Sequence, residues 1–182
     1  MVKFACAVLC WVGDGPANLK AYYAFVSLLA MATAAPPHRL EQSAVASLAR
    51  RLYALSFARY PKLNDVYINA GIEQRYSAKS IDWFAEPHDW PERTQAYLEG
   101  ARALFVEAAR TALARAEVDA RHVDVIVTVS STGIATPSLE ALVAAEMGFR
   151  ADVLRVPVFG HGRGGGEQRL ARRCGASSSA RR

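Results

Sequence analysis

Apolar residues recur at steps of three and four along residues 40–58. Val45, Leu48, Leu52 and Leu55 fall on one helical face, which predicts a helix buried along that face, with Arg50, Arg51 and Arg59 off it. The same period returns over residues 92–118. There Tyr97, Ala101, Leu104, Phe105, Ala108 and Ala112 form the predicted buried stripe of the longest helix, and Pro91 suits its first turn. Glu99/Arg102 and Glu107/Arg110 have the spacing of exposed pairs on that helix. Strand patterns bracket these helices. Residues 24–33 are small and apolar and end at Pro36-Pro37, which predicts a buried strand. "HVDVIVTVSSTG", residues 122–133, is β-branched and apolar enough for burial on both faces. "TPSLEALVAAEMGF" predicts a helix from Pro137 to Gly148, and "ADVLRVPVFG" a further strand. Strand, helix and strand in this order indicate an α/β domain with layered packing. Gly71, in "NAGIEQRYS", is expected at positive φ. "IDWFAEPHDWPER" reads as an aromatic connector whose Trp83 and Trp90 pack inward, and its Glu86, Asp89 and Glu92 show no helical pairing.

Composition narrows the class. A chain of 182 residues with 52% hydrophobic and 21% charged residues suits one folded domain. Its net charge of +5 is unevenly placed, because residues 163–182 hold six arginines against one glutamate and the rest of the chain is balanced. The excess therefore belongs to a Gly/Ser/Arg-rich tail, expected to be disordered, and neither a nucleic-acid nor a membrane partner is expected. Cys6, Cys10 and Cys174 are too few and scattered for a disulfide framework, which fits a reducing, cytoplasmic setting. His38, His88, His122 and His161 lie far apart, so no metal site or cofactor is expected. The run after Lys20 mimics a secretory signal peptide but begins too far from the N-terminus and is too short to span a bilayer.

Three stretches are candidates for chemistry. Gly160, Gly162 and Gly165 match the dinucleotide pattern G-x-G-x-x-G after a strand. The helix that should follow has Leu170 as its single large apolar residue, and the acidic partner would fall beyond residue 182. Ser130, Ser131 and Thr132 sit where a buried strand ends, placed either to bind a ligand carbonyl or to satisfy the strand end, with Thr136 or Ser138 near the next helix start. Arg59, Lys62 and Arg75 flank a turn and are candidates for phosphate contact or a solvated basic surface.

Taken together, "ATAAPPHRLEQ", "GIEQRY", "VDVIVTVSSTGIATPSLEALVAAEMGF" and "LRVPVFGHGRGGG" resemble the N-terminal part of type III polyketide synthases, the chalcone and stilbene synthase family, over most of residues 28–172. The resemblance implies a partial thiolase-like fold of αβαβα layers over residues 21–172, between an unassigned extension at 1–20 and a disordered basic tail at 173–182. It implies a homodimer that condenses malonyl-CoA onto an acyl-CoA starter without metal or cofactor. In the family a cysteine at the start of a buried helix attacks the starter thioester, and a later histidine and asparagine assist decarboxylation. Against the family pattern "VFGLGCAGG", Arg163 occupies the cysteine's place; Gly160, Gly162, Gly165, Leu170 and Ala171 remain in register. A guanidinium is no nucleophile. By the same alignment Ser131 and Thr132 line the cavity, Thr136 reaches across the dimer, and Lys62 matches a CoA-binding base, although Asp65 and Asn69 replace two neighbouring basic positions. The histidine and asparagine belong to the family's other half. The expectation is a catalytically silent fragment whose frame is lost near Arg173, or alternatively a non-catalytic module that pairs with an intact synthase.

Overall fold

The computed structural model describes residues 4–11 and 26–160. Arg163, the remaining glycines of the G-x-G-x-x-G stretch and the tail at 173–182 lie outside the described residues. The chain divides into two compact units, one spanning 35–100 and the other combining 4–34 with the residues from 101 onward.

In the first unit, β3 (His38–Glu41) pairs antiparallel with β4 (Gln74–Ser77), Leu40 opposite Arg75. Between them run α1 (Gln42–Leu52), α2 (Ala54–Arg59) and α3 (Leu63–Asn69). The expected single helix over 40–58 is thus two, because Tyr53 leaves helical geometry with φ −116° and ψ 36°. The predicted face is met only in part: Val45 and Leu48 are half-buried, Leu52 and Leu55 are exposed, and Gln42 and Ala46 are the buried residues of α1. Gln42 is held from three sides. Its N–H donates to the Glu73 carbonyl, its Nε2 to the Tyr67 carbonyl, and its Oε1 accepts from Arg75 Nε at 2.7 Å. A buried amide with these partners joins α1 to α3 and β4. Gly71 takes φ +59°, as its place after α3 demands.

The connector ends in a cluster that the spacing of its charges conceals. Trp83 stacks on His88 with ring centroids 3.9 Å apart and meets Phe84 edge-on. Asp89 precedes α4 (Trp90–Ala116), and its Oδ1 accepts from the Glu92 N–H, while Glu92 Oε2 accepts from the Asp89 N–H. This reciprocal capping box, rather than acid/base chemistry, explains the two carboxylates. Trp90 is 75% exposed under Arg93, contrary to the expected inward packing, because the cap turns the first helical residue outward.

Helix α4 crosses the division at Gly100. Ala101, Leu104, Phe105, Ala108 and Ala112 are buried as the periodicity predicts, and Tyr97 is half-buried. The expected pairs along the helix do not form. Glu99 pairs instead with Lys79 at 2.9 Å, and Arg102 and Arg110 reach Glu146 at 2.8 and 3.8 Å. Partners on neighbouring elements displace the weak pairs of an isolated helix.

Among the described residues the second unit contains two two-stranded sheets. β1 (Phe4–Trp11) runs antiparallel to β2 (Val26–Ala34), with a bulge opposite Val8 and Leu9, so part of the unassigned extension is a strand. β2 is buried at Ala32 and Ala34 but exposed at Leu28, Leu29 and Met31, so the fully buried strand expected there is buried on one face. β5 (Val125–Ser130), α5 (Leu139–Met147) and β6 (Leu154–Phe159) form a strand–helix–strand unit with parallel pairing. Ile126 and Thr128 of β5 are buried and Val125, Val127 and Val129 only half-buried, so burial on both faces is not met. α5 ends at Gly148, whose φ of +74° makes the left-handed C-cap.

Candidate functional site

The parallel register pairs Val125 with Leu154 and Ser130 with Phe159, so both strands end at the same level. Gly160, at φ +82°, then donates its N–H to the Ser130 carbonyl at 3.1 Å. The start of the 131–138 loop and Gly160 therefore lie side by side at one end of the sheet. In open α/β sheets the carboxyl ends of parallel strands are where ligands bind, because backbone and loop groups converge there.

Ser130 is committed to shaping that loop. Its hydroxyl donates to the Gly133 carbonyl at 2.7 Å and accepts the Gly133 N–H at 3.3 Å, which favours its reading as a strand-end cap. Ser131 and Thr132 are exposed just beyond, as is Thr136, which precedes the cis-linked Pro137. Ser138 occupies the N-cap of α5 without a side-chain cap bond; its carbonyl accepts from Ala141 and Leu142.

One residue at this end escaped notice in the sequence. Glu140, in the first turn of α5, is 0% exposed. Its Oε2 accepts from Thr128 Oγ1 at 2.6 Å, and its Oε1 has no hydrogen-bond partner among the described residues. An acidic side chain suits a helix N-terminus, but full burial of a half-satisfied carboxyl is costly. The signal available in the sequence was slight: a charged residue in "SLEALV" aligned with Thr128, a polar position inside the apolar run of β5. The contact pins α5 to β5 beneath the loop that carries Ser131, Thr132 and Thr136.

Lys62 stands elsewhere, exposed at the N-cap of α3 in the other unit. Asp65 follows within the same turn of helix. Of the two arginines that flank the same turn in the sequence, Arg75 is committed to Gln42, and Arg59 lies 5.4 Å from the ring centroid of Tyr60. The phosphate constellation suggested by the sequence is therefore not assembled from all three.

Groups with shifted pKa lie outside the 131–138 loop. Asp119 is pulled down to about 2 by hydrogen bonds from the Arg121 side chain and backbone. Glu99 is lowered by its bond from Gln95 and then by Lys79. Arg150 is raised by Asp124 and Asp152, and Asp152 lowered in turn by Arg150. All are surface ion pairs or hydrogen-bonded charges of structural type. Among the described residues no group of three His, Cys, Asp or Glu side chains is placed to hold a metal ion, and no helix is long and apolar enough to cross a membrane.

No family model matches the sequence. Comparison with individual proteins is more informative. The chain is 40% identical over 146 residues to 1,3,6,8-tetrahydroxynaphthalene synthase of Streptomyces peucetius subsp. caesius, covering 80% of this chain and 39% of that protein. It is 32% identical over 150 residues to a Bacillus subtilis (strain 168) protein named for chalcone synthase, covering 80% of this chain and 41% of the relative. Among solved structures, the tetrahydroxynaphthalene synthase of Streptomyces coelicolor A3(2), a bacterial type III polyketide synthase, superposes with a TM-score of 0.61 at 28% identity over 70% of this chain and 36% of that one. A fungal type III polyketide synthase, ORAS, gives 0.67 at 25% identity over 81% of this chain and 40% of its own. The chain thus spans about two fifths of the length of the proteins it matches. Sequence identity and backbone similarity agree, and the parallel β5–α5–β6 unit contains two of the stretches that carry the resemblance, "VSSTGIATPSLEA" and "RVPVFG", up to Phe159. The chain belongs to the type III polyketide synthase family, of which it represents a part with a partial thiolase-like α/β fold.

Proposed function

We propose that this chain is a catalytically silent portion of a type III polyketide synthase-like acyltransferase. The whole protein's reaction would be decarboxylative condensation of malonyl-CoA onto an acyl-CoA starter, carried out by a homodimer. The observation that supports the reading is the end of the parallel sheet. There β6 delivers the chain to Gly160, three residues before the position where the family resemblance requires a nucleophilic cysteine and where the sequence has Arg163. Acyl transfer needs a thiolate that attacks the starter carbonyl and expels the CoA thiolate. A guanidinium has no lone pair to offer for that attack at neutral pH. The histidine and asparagine that complete the chemistry belong to the part of the family this chain does not span. Ser131, Thr132 and Thr136 would line the cavity, and Lys62 would face CoA phosphates with Asp65 weakening the contact.

The test is acylation. Incubated with radiolabelled acyl-CoA, the chain is expected to remain unlabelled, and Arg163→Cys is expected to give no turnover because a lone thiol lacks its activating base. Stable thioester labelling of the unaltered chain would overturn the reading.

A second reading, a non-catalytic module that pairs with an intact synthase, is favoured by exposed apolar residues on the second unit. Ile134 and Phe159 lie at or just beyond the carboxyl end of this sheet, Leu154 begins β6 at its other end, and all three are exposed. Stoichiometric co-purification with an intact synthase would support it.

A further inference from the structure

We propose that the outer face of α2 and α3 docks onto an anionic lipid surface. The sequence predicted neither a membrane partner nor an exposed apolar face here. The break at Tyr53 changes the second expectation. Neither α2 nor α3 has a single buried residue, although both are rich in large apolar side chains. Leu52, Tyr53, Leu55, Tyr60, Val66 and Ile68 are all exposed, Leu55 at 88% and Ile68 at 75%.

The geometry shows how this happens. Phe57 of α2 and Tyr67 of α3 stack with centroids 6.4 Å apart, and both are half-buried. Arg50 Nε donates to Asn64 Oδ1 at 2.7 Å and ties α1 to α3. With the inner contact fixed at Phe57, Leu55 stands about 200° around the helix, on the outer side. Val66 and Ile68 flank Tyr67 at about 100° on either side.

The charges on this segment select the occupant. Residues 50–69 contain Arg50, Arg51, Arg59 and Lys62 against Asp65 alone. Arg59 and Lys62 are exposed among these apolar residues, and Arg51, at the end of α1, is exposed beside Leu52. The buried centre of a protein interface is depleted in charge. Leucine, isoleucine and tyrosine interleaved with basic groups is instead the composition that sinks into the headgroup layer while its cations meet acidic lipids. The chain would rest on the bilayer and not span it. Lys62 is shared with the CoA contact proposed above, so the variants below leave it unchanged and read the face through Arg51, Leu55, Arg59 and Ile68.

Flotation of the full chain with lipid vesicles tests it. Vesicles of phosphatidylcholine with phosphatidylglycerol are expected to carry at least about tenfold more protein than phosphatidylcholine alone, with the difference falling as salt rises. Leu55→Ser with Ile68→Ser is expected to lower binding by about tenfold, because two apolar side chains no longer leave water. Arg51→Glu with Arg59→Glu is expected to lower it by more, since each basic charge accounts for roughly fivefold. All four positions are exposed, and circular dichroism would verify that the variants keep the parental fold. Equal recovery on both vesicle types would overturn the proposal. So would binding unchanged by the Leu55/Ile68 pair, which would assign it to the arginines of residues 163–182. Loss of association with a homopolymer RNA, and not with vesicles, on charge reversal would assign the face to nucleic acid and refute the lipid reading.

Discussion

Glu140 offers a sharp test of how the β5–α5 contact is held. Thr128 Oγ1 donates to Glu140 Oε2 at 2.6 Å, both residues are buried, and Oε1 is unpartnered among the described residues. Thr128→Val keeps the shape of the side chain and removes the donor. It leaves both carboxyl oxygens buried without a partner, and an unmade buried hydrogen bond costs about 1–3 kcal/mol. Destabilisation of roughly 2 kcal/mol is expected. Glu140→Met preserves volume and removes the orphaned oxygen, but strands the Thr128 hydroxyl. The two effects are of similar size, so a change within about 1 kcal/mol of zero is expected. The double variant removes both polar groups together, and replacing a buried polar pair by apolar groups of equal shape is neutral or stabilising. Urea unfolding of the four proteins, followed by circular dichroism, supplies the cycle, with midpoints compared at constant slope. A double variant as unstable as Thr128→Val alone would refute the reasoning. It would mean that the cost arises from packing at position 128 and not from the stranded carboxyl.

Three further outcomes follow from local geometry. Gly148→Ala is expected to cost about 1 kcal/mol by urea unfolding: its φ is +74° and no atom lies within 4 Å of the added Cβ, so the penalty is backbone strain alone. Gly100→Ala should destabilise although alanine favours helix, since its Cβ would lie 2.7 Å from the Ala78 Cβ; combining it with Ala78→Gly should restore stability in the same assay. Asp119, held at about 2 against an ordinary 3.8, contributes stability that is present above its unfolded value and lost as pH falls through the folded one. Asp119→Asn is therefore expected to flatten the fall in unfolding midpoint across that acid window, and an unchanged profile would contradict the assignment.

What the sequence determined by itself was local order and ancestry. The stripe of α4 was legible because a long 3.6-residue period survives any tertiary setting: Leu104, Phe105 and Ala108 are buried as expected. The strand–helix–strand order of β5, α5 and β6, the Gly71 and Gly148 turns and the family resemblance were legible for related reasons, being written in contiguous residues with specific backbone needs. What the tertiary structure decided was which faces meet. Tyr53 ends α1 and rotates Leu55 to the surface, a geometric event that periodicity across residues 40–58 cannot register. Glu146 draws Arg102 and Arg110 away from helical neighbours, and Glu92 serves a cap because Asp89 turns the chain beside it. The placement of Glu140 against Thr128 likewise depends on α5 folding back over β5. Partners distant in the chain are chosen by packing, and a burial pattern records only that a residue is apolar, not what lies opposite it.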